Sequence, residues 1–194
     1  MRLLSARGFT LVEQLLVIAL IVVLAGISLP VTADAVDALR TQAATRYLAG
    51  RMLEARMDAI KRSHQIALRF EAGSPDYTYR YFIDGNRNGV RSADIRAGVD
   101  RQLGALERIG DNFRDVRLAL MEGLPDADGT MNTGTDGVRI GTAKILTMSP
   151  DGTATPGTVY VRGKKVQYAI RILGATGRVR VLQYVGRTGT WINR

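Results

Sequence analysis

From Phe9 to Leu29 the chain is a continuous apolar run carrying one charged residue, Glu13. A run of that length predicts a helix able to cross a hydrocarbon layer of ~30 Å. An ionised carboxylate inside such a layer costs roughly 3 kcal/mol, so Glu13 calls for a functional partner, the simplest being a cation on a neighbouring subunit. The competing reading is that Glu13, within a turn of the helix start, snorkels to the interface. After Pro30 the helical period continues to about Arg62. Val36, Leu39, Ala43, Tyr47, Met52 and Ile60 read as the face laid against a sheet, and Asp34, Asp37, Arg40, Arg46, Arg51, Asp58 and Lys61 as the polar side. Pro30, which lacks an N–H, is expected to kink or break the rod.

Beyond the helix the period changes from 3.6 to 2, the signature of strands. Gln65 to Glu71 and Tyr77 to Asp84 flank the turn cluster Gly73-Ser74-Pro75-Asp76 and read as a hairpin. Further strands are expected at Asp115–Met121, Gly137–Ile140, Lys144–Met148, Thr158–Arg162, Lys165–Leu173 and Arg178–Val185, each bounded by glycine-rich punctuation. Arg91 to Asn112 has no clean period and reads as a wrapping loop with a short helical or extended piece. The fold class is therefore α+β: a long N-terminal helix, its first half membrane-spanning, packed on an antiparallel β domain. The expected divisions are a leader (1–8), a membrane half-helix (9–29), an amphipathic half-helix (30–62) and a β domain (63–194).

The short leader Met1 to Gly8 carries Arg2 and Arg7, which hold the N-terminus in the cytoplasm. Gly26-Ile27-Ser28 would serve as a signal-peptide cleavage site, but the apolar run is longer than a signal's. Gly8-Phe9-Thr10-Leu11-Val12-Glu13 resembles the processing site of type IV prepilins and type II secretion pseudopilins. The resemblance implies cleavage between Gly8 and Phe9 by prepilin peptidase, N-methylation of Phe9, and Glu13 as the fifth mature residue. In that class Glu13 would pair with the α-amine of an adjacent subunit during filament assembly, and Pro30 falls where the class usually has a proline. The turn Asp84-Gly85-Asn86-Arg87-Asn88-Gly89, the stretch Met148-Ser149-Pro150-Asp151-Gly152 and the late Gly177-Arg178-Val179-Arg180 resemble the GspH/FimT group of minor pseudopilins and minor pilins. This implies an inner-membrane protein with its globular domain in the periplasm, whose partners are other pilin or pseudopilin subunits.

Catalytic readings are weak. The 194 residues include no cysteine, which excludes disulfides and thiolate chemistry. His64, the sole histidine, sits at the helix end, where imidazoles cap carbonyls, and a Ser63/His64 nucleophile pair lacks an orienting acid. No enzyme activity and no cofactor are expected. Asp84, Asn86 and Asn88 imitate the first half of a calcium loop, but the twelfth position is Ile95; Asn, Asp and Gly are also the preferred residues of tight turns, and the turn is the better reading.

Charge changes the picture last. The net charge of +9 falls to +7 when Arg2 and Arg7 leave with the leader. From Val138 to Arg194 there are ten basic residues and one acidic, Asp151. Such clustering is the footprint of a polyanion-binding surface. Arg178 and Arg180, two residues apart, share one side of a strand, either as a solvated face that discourages edge pairing or as a grip on successive phosphates. In FimT-like minor pilins a Gly-Arg-x-Arg motif is associated with DNA binding, so Arg178, Arg180, Lys164, Lys165 and Arg187 are candidates to bind double-stranded DNA. Arg187, Trp191 and Arg194 read as an adaptable basic and aromatic tail capable of stacking. Two function classes stand: a filament-assembly protein, and a DNA receptor for natural transformation.

Overall fold

The computed structural model describes residues 8–131 and 134–194, except for the side chains of residues 27–31. The chain forms two compact units that meet between Val36 and Asp37. Helix α1, Leu11–Arg62, contributes to both. Its helical assignment continues through Pro30, so the break expected there does not occur. Among the described residues no helix is long and apolar enough to cross a membrane; the described side chains of the apolar run end at Gly26.

The second unit contains two antiparallel sheets. The first has the order β3-β2-β1-β5, with β1 Ile66–Glu71, β2 Thr78–Ile83, β3 Arg101–Arg108 and β5 Ile145–Met148. The second has the order β4-β6-β7-β8-β9, with β4 Val138–Arg139, β6 Gly157–Arg162, β7 Gln167–Leu173, β8 Arg178–Val185 and β9 Thr190–Asn193. Short helices α2, Ser92–Arg96, and α3, Ile109–Asn112, flank β3. One cluster of buried residues unites α1 with both sheets: Ala44, Leu48, Met52, Ala55 and Ala59 meet Leu68, Phe70 and Leu146 from the first sheet and Val159, Val161 and Ile170 from the second.

Only part of the expected face is here: Met52 is buried and Tyr47 packs on the core, whereas Leu39, Ala43 and Ile60 do not. The core side carries small residues, including Thr41, Ala44, Thr45, Ala55 and Ala59, which let the backbone approach the sheets closely. Leu39, Ala43 and Ile60 point away from the core and are exposed, as are Leu53 and Met57; Val36, in the first unit, is exposed as well. Asp37, expected on the polar side, is buried.

The helix closes on Ser63, which takes a left-handed φ of 53°. His64 N–H donates to Ala59 O and Ser63 N–H to Ile60 O, both at 3.3 Å, a Schellman stop. His64 Nδ1 lies 2.7 Å from Arg62 O, the capping role expected of it.

The hairpin of β1 and β2 and five of the six further expected strands are present; the exception is Asp115 to Met121, which is not a strand. Its alternation is real, since Val116, Leu118 and Leu120 are buried, yet it pairs only through isolated bridges, Arg117 with Arg162 and Ala119 with Asp136. Side chains complete its backbone bonding: Leu118 N–H donates to Asp76 Oδ1 and Met121 N–H to Gln167 Oε1, both at 2.9 Å. Arg91 to Asn112, expected as a loop, contains the eight-residue strand β3. β3 is an edge strand with a register shift opposite Tyr79 and Tyr81 and a glycine, Gly104, at φ 74°, which erases the period that would have revealed it.

Candidate functional site

Two regions hold the predicted residues. In the first unit, Gly8, Phe9 and Thr10 precede the helix and are exposed. Thr10 is the N-cap. Its Oγ1 accepts the Glu13 N–H at 3.2 Å, and its own N–H donates to Glu13 Oε2 at 3.5 Å. This reciprocal pair is a capping box, which satisfies two of the helix's orphan donors. Thr10-x-x-Glu13 ahead of an apolar run is its sequence signal, so Glu13 has a local structural task. The rest of the leader, with Arg2 and Arg7, lies outside the described residues. From Phe9 to Leu24 the large apolar side chains are uncovered, Phe9 and Leu11 each at 75% exposure.

In the second unit the basic candidates separate. β8 alternates as expected: Arg178 and Arg180 are exposed while Val179 and Val181 pack on the core. Gly177, which begins their motif, turns the chain into β8 at φ 57°, and a Cβ there would lie 2.4 Å from Gly152 O. The glycine is thus demanded by the turn. Pairing adds a residue that sequence spacing did not single out: Arg171 on β7 lies directly opposite Arg180, and Thr158 on β6 opposite Arg171. Like charges in register repel. Arg171 Nη1 donates to Ala127 O at 3.3 Å, which holds it against the loop that crosses this face.

That loop brings acid with it. Asp126 is paired with Arg139 and accepts the Tyr160 hydroxyl at 3.1 Å. Burial and the adjoining Asp126 carboxylate push the Tyr160 hydroxyl up to about 12, against the opposing pull of the Ala127 N–H. A depression of about 360 Å³ lies here, lined by Arg139, Thr158, Tyr160 and Arg171 together with Asp126 and Asp128. Among the basic side chains of this face, Arg178 and Arg180 are the most open.

Lys164, Lys165 and Arg187 are elsewhere. Lys164 and Lys165 occupy the β6–β7 turn and Arg187 the β8–β9 turn, both at the end of the sheet opposite Arg178, a β7 length of roughly 20 Å away. Trp191 and Arg194 do not form an adaptable tail. Trp191 lies in β9, donates its Nε1–H to Pro125 O at 3.1 Å and stacks at 5.4 to 5.8 Å against Tyr184 and Tyr160; Arg194 Nε donates to Gln183 Oε1 at 2.7 Å. The tail reading failed because a short edge strand after a glycine turn offers too few residues for a period.

The Asp84 loop is organised by its own backbone. Asp84 is buried, its Oδ1 accepting the N–H groups of Asn86 and Arg87 and its Oδ2 that of Gly89. Asn86 Oδ1 accepts the Asn88 N–H, and Arg87 takes φ 61°. These are turn bonds, which engage the side-chain oxygens of Asp84 and Asn86. Among the described residues no group of three or more His, Asp or Glu side chains is arranged to hold a metal ion.

No family model matches the chain. It is 36% identical over 85 residues to a pilin-like protein, PilA1, of Thermus thermophilus. The match takes in 43% of this chain, which spans about half (52%) of that relative's length. The minor pseudopilin EpsH from the type 2 secretion system of Vibrio cholerae overlaps 73% of this chain and 94% of its own, at 11% identity and a TM-score of 0.45. A Gly-Phe-Thr-Leu-x-Glu segment leads into a long apolar helix, and over 85 residues the chain is similar to a pilin-like protein.

Proposed function

We propose that this chain is a minor pilin or minor pseudopilin of the GspH/FimT kind, which enters the tip or priming complex of a type IV pilus or a type II secretion pseudopilus. Prepilin peptidase would cut between Gly8 and Phe9 and methylate Phe9. Until assembly, the apolar run Phe9 to Leu29 would anchor the chain in the inner membrane with the globular unit in the periplasm. The observation that carries this reading is the uncovered apolar surface of α1. In the second unit alone Leu39, Leu53, Met57 and Ile60 are 65%, 45%, 50% and 41% exposed, on the side of the helix turned from the core. Their spacing follows a 3-4 repeat, the pattern one helix offers another. A subunit that stacks helix on helix needs such a stripe; an enzyme domain does not.

Glu13 would supply the register. The α-amine of a neighbouring processed subunit neutralises a carboxylate that lipid cannot solvate, so the pair favours one axial stagger. The capping box offers a clean experiment. Glu13→Gln keeps the box, because Gln can accept the Thr10 N–H, but removes the charge. Glu13→Leu removes both. With the pilus or secretion machinery co-expressed, mass spectrometry is expected to find Phe9 as an N-methylated terminus in all three proteins. Both variants are expected to insert into the membrane yet enter filaments poorly. Wild-type incorporation by Glu13→Gln would sink the ionic pairing, and an intact leader would sink the processing.

DNA binding is a second reading, favoured by one observation: Arg178 and Arg180 are open on the outer face of the sheet with Arg171 in register beside them. Displayed on a filament, this face would grip the backbone of double-stranded DNA and serve its uptake as a FimT-like receptor.

A further inference from the structure

The β6–β7 turn is built onto the start of α1 in the second unit. Asp37 accepts the N–H groups of Lys164 and Lys165, at 3.0 Å each. Thr41 Oγ1 donates to Asp37 O at 2.7 Å, and Gly163 lies so close that a Cβ would come within 2.2 Å of Thr41 Oγ1. Beside this turn, Arg117 and Arg162 exchange both backbone bonds, at 2.9 and 2.8 Å, and form a directly opposed antiparallel pair. Two guanidinium groups then leave neighbouring positions on one side, an arrangement that repels unless an anion comes between them. Among the described residues neither makes a salt bridge, although Arg117 contributes to the field at buried Asp76. A depression of about 180 Å³ lies between them, lined by Arg117, Arg162, Gly163, Lys164 and Asp115.

Further cations surround it. Lys164 Nζ is 3.1 Å and Arg114 Nε 3.9 Å from Asp115 Oδ2, and Arg40 helps hold the Asp115 carboxyl below its ordinary range. The first cause of that depression is the bond to Lys164. One exposed carboxylate is thus shared by Lys164, Arg114 and Arg40 beside a depression that Arg117 and Arg162 also line, leaving the cluster strongly positive. The depression is half the volume of the one beside Arg171 and is large enough to admit a phosphate group, unlike the open outer face that carries Arg178 and Arg180.

We infer that this cluster is a docking collar for the phosphate headgroups of anionic phospholipids, with Arg117 and Arg162 as the forked grip and Lys164 at its mouth. The inference rests on the membrane anchoring proposed above. A chain anchored through Phe9 to Leu29 keeps Asp37 and Arg40 within about three helical turns of the end of that segment along the sequence, whatever the arrangement of the two units. Near an anionic surface each basic residue contributes ~1 kcal/mol, about fivefold in occupancy. Docking would hold the globular unit at the bilayer before assembly and release it when the helix leaves.

The test uses the full chain in vesicles of phosphatidylcholine alone or of phosphatidylcholine with phosphatidylglycerol. Flotation reports anchoring, and acylation of lysines, read by mass spectrometry, reports docking. Lys164 is expected to react about fivefold or more slowly in the anionic vesicles, with the difference abolished by high salt. Lys61, 24 residues past Asp37 on the helix and ~36 Å away, is the internal control and is expected to react equally in both. Arg117→Gln with Arg162→Gln is expected to remove most of the protection at Lys164 while leaving flotation unchanged. A chain that floats but shows equal labelling in both vesicles would overturn the collar, and one that floats in neither would overturn the anchoring beneath it. Protection of Lys164 by duplex DNA in place of anionic vesicles would also overturn it.

Discussion

At the scale of single residues, Gly163 shows how a fold fixes one position by contact. The buried Asp37 carboxylate receives two backbone donors of the β6–β7 turn, which brings Gly163 against Thr41. A methyl group there must displace the Thr41 hydroxyl from its bond to Asp37 O or push the turn off the helix. Gly163→Ala is expected to lower stability by about 1–3 kcal/mol, the usual cost of overpacking, seen as a fall in the denaturant midpoint at constant slope. An unchanged midpoint would show that the turn is free to move. Asp37→Ala strands the same donors, so the two substitutions together are expected to cost less than the sum of each alone. Neither effect is legible in sequence: Asp37 reads there as a surface residue, and Gly163 as one more glycine in a turn.

At the scale of elements, β8 and its neighbour β7 carry the polyanion reading. Phosphate contacts carry no base information, so the detergent-solubilised chain is expected to bind double-stranded DNA weakly and with little sequence preference. Its affinity would fall steeply with salt, by a slope of about −0.9 for each phosphate engaged. Arg178→Gln with Arg180→Gln is expected to flatten the slope by up to about two units and leave the thermal midpoint nearly unchanged, since both side chains are exposed. Arg171→Gln would flatten it by less than one, being half-buried and held by Ala127 O. Replacing Lys164 and Lys165 would leave the slope alone if these lie outside the contact, as their place at the other end of the sheet implies. An unaltered isotherm in the Arg178/Arg180 variant would remove β8 as the site.

At the scale of the whole β domain, distant segments are clipped together by carboxylates. Asp136 accepts the Tyr77 hydroxyl and Lys144 Nζ, both at 2.6 Å, and the Val138 N–H at 3.0 Å, tying the β1–β2 hairpin to the strand region 136–144. Burial raises the Asp136 carboxyl, but Lys144, Tyr77 and Val138 together outweigh it and hold it below its ordinary value. Lys144 is shifted upward by the same pair, although burial lowers it. A depressed carboxyl stabilises the fold fully above its unfolded pKa of about 3.9, and the contribution fades as pH falls through the folded value. Asp136→Asn is therefore expected to be less stable than wild type at pH 7, by at most about 1 kcal/mol for a pair so open to solvent. The gap is expected to narrow as pH falls below about 4 and to close once pH passes below the depressed folded value. A gap that stays constant from pH 7 to pH 3 would remove the ionic contribution.

The sequence alone determined what depends on near neighbours. Helix and strand periods, the turns between them, the processing motif and the pairing of Arg178 with Arg180 on one strand face are all set by residues a few positions apart. Even the capping box was present as Thr10-x-x-Glu13. Tertiary structure decided what depends on partners far along the chain. Small residues of α1 face the core beside Leu48 and Met52 because the sheets approach closely, and Leu39, Leu53, Met57 and Ile60 were left outside, which shifted the face that periodicity suggested. Pairing across strands placed Arg171 beside Arg180, set Arg117 against Arg162, and sent Lys164 and Lys165 to the other end of the sheet. Edge strands β3 and β9 escaped notice for a related reason: a strand bonded on one side alone need not bury a regular face, so only its partner reveals it.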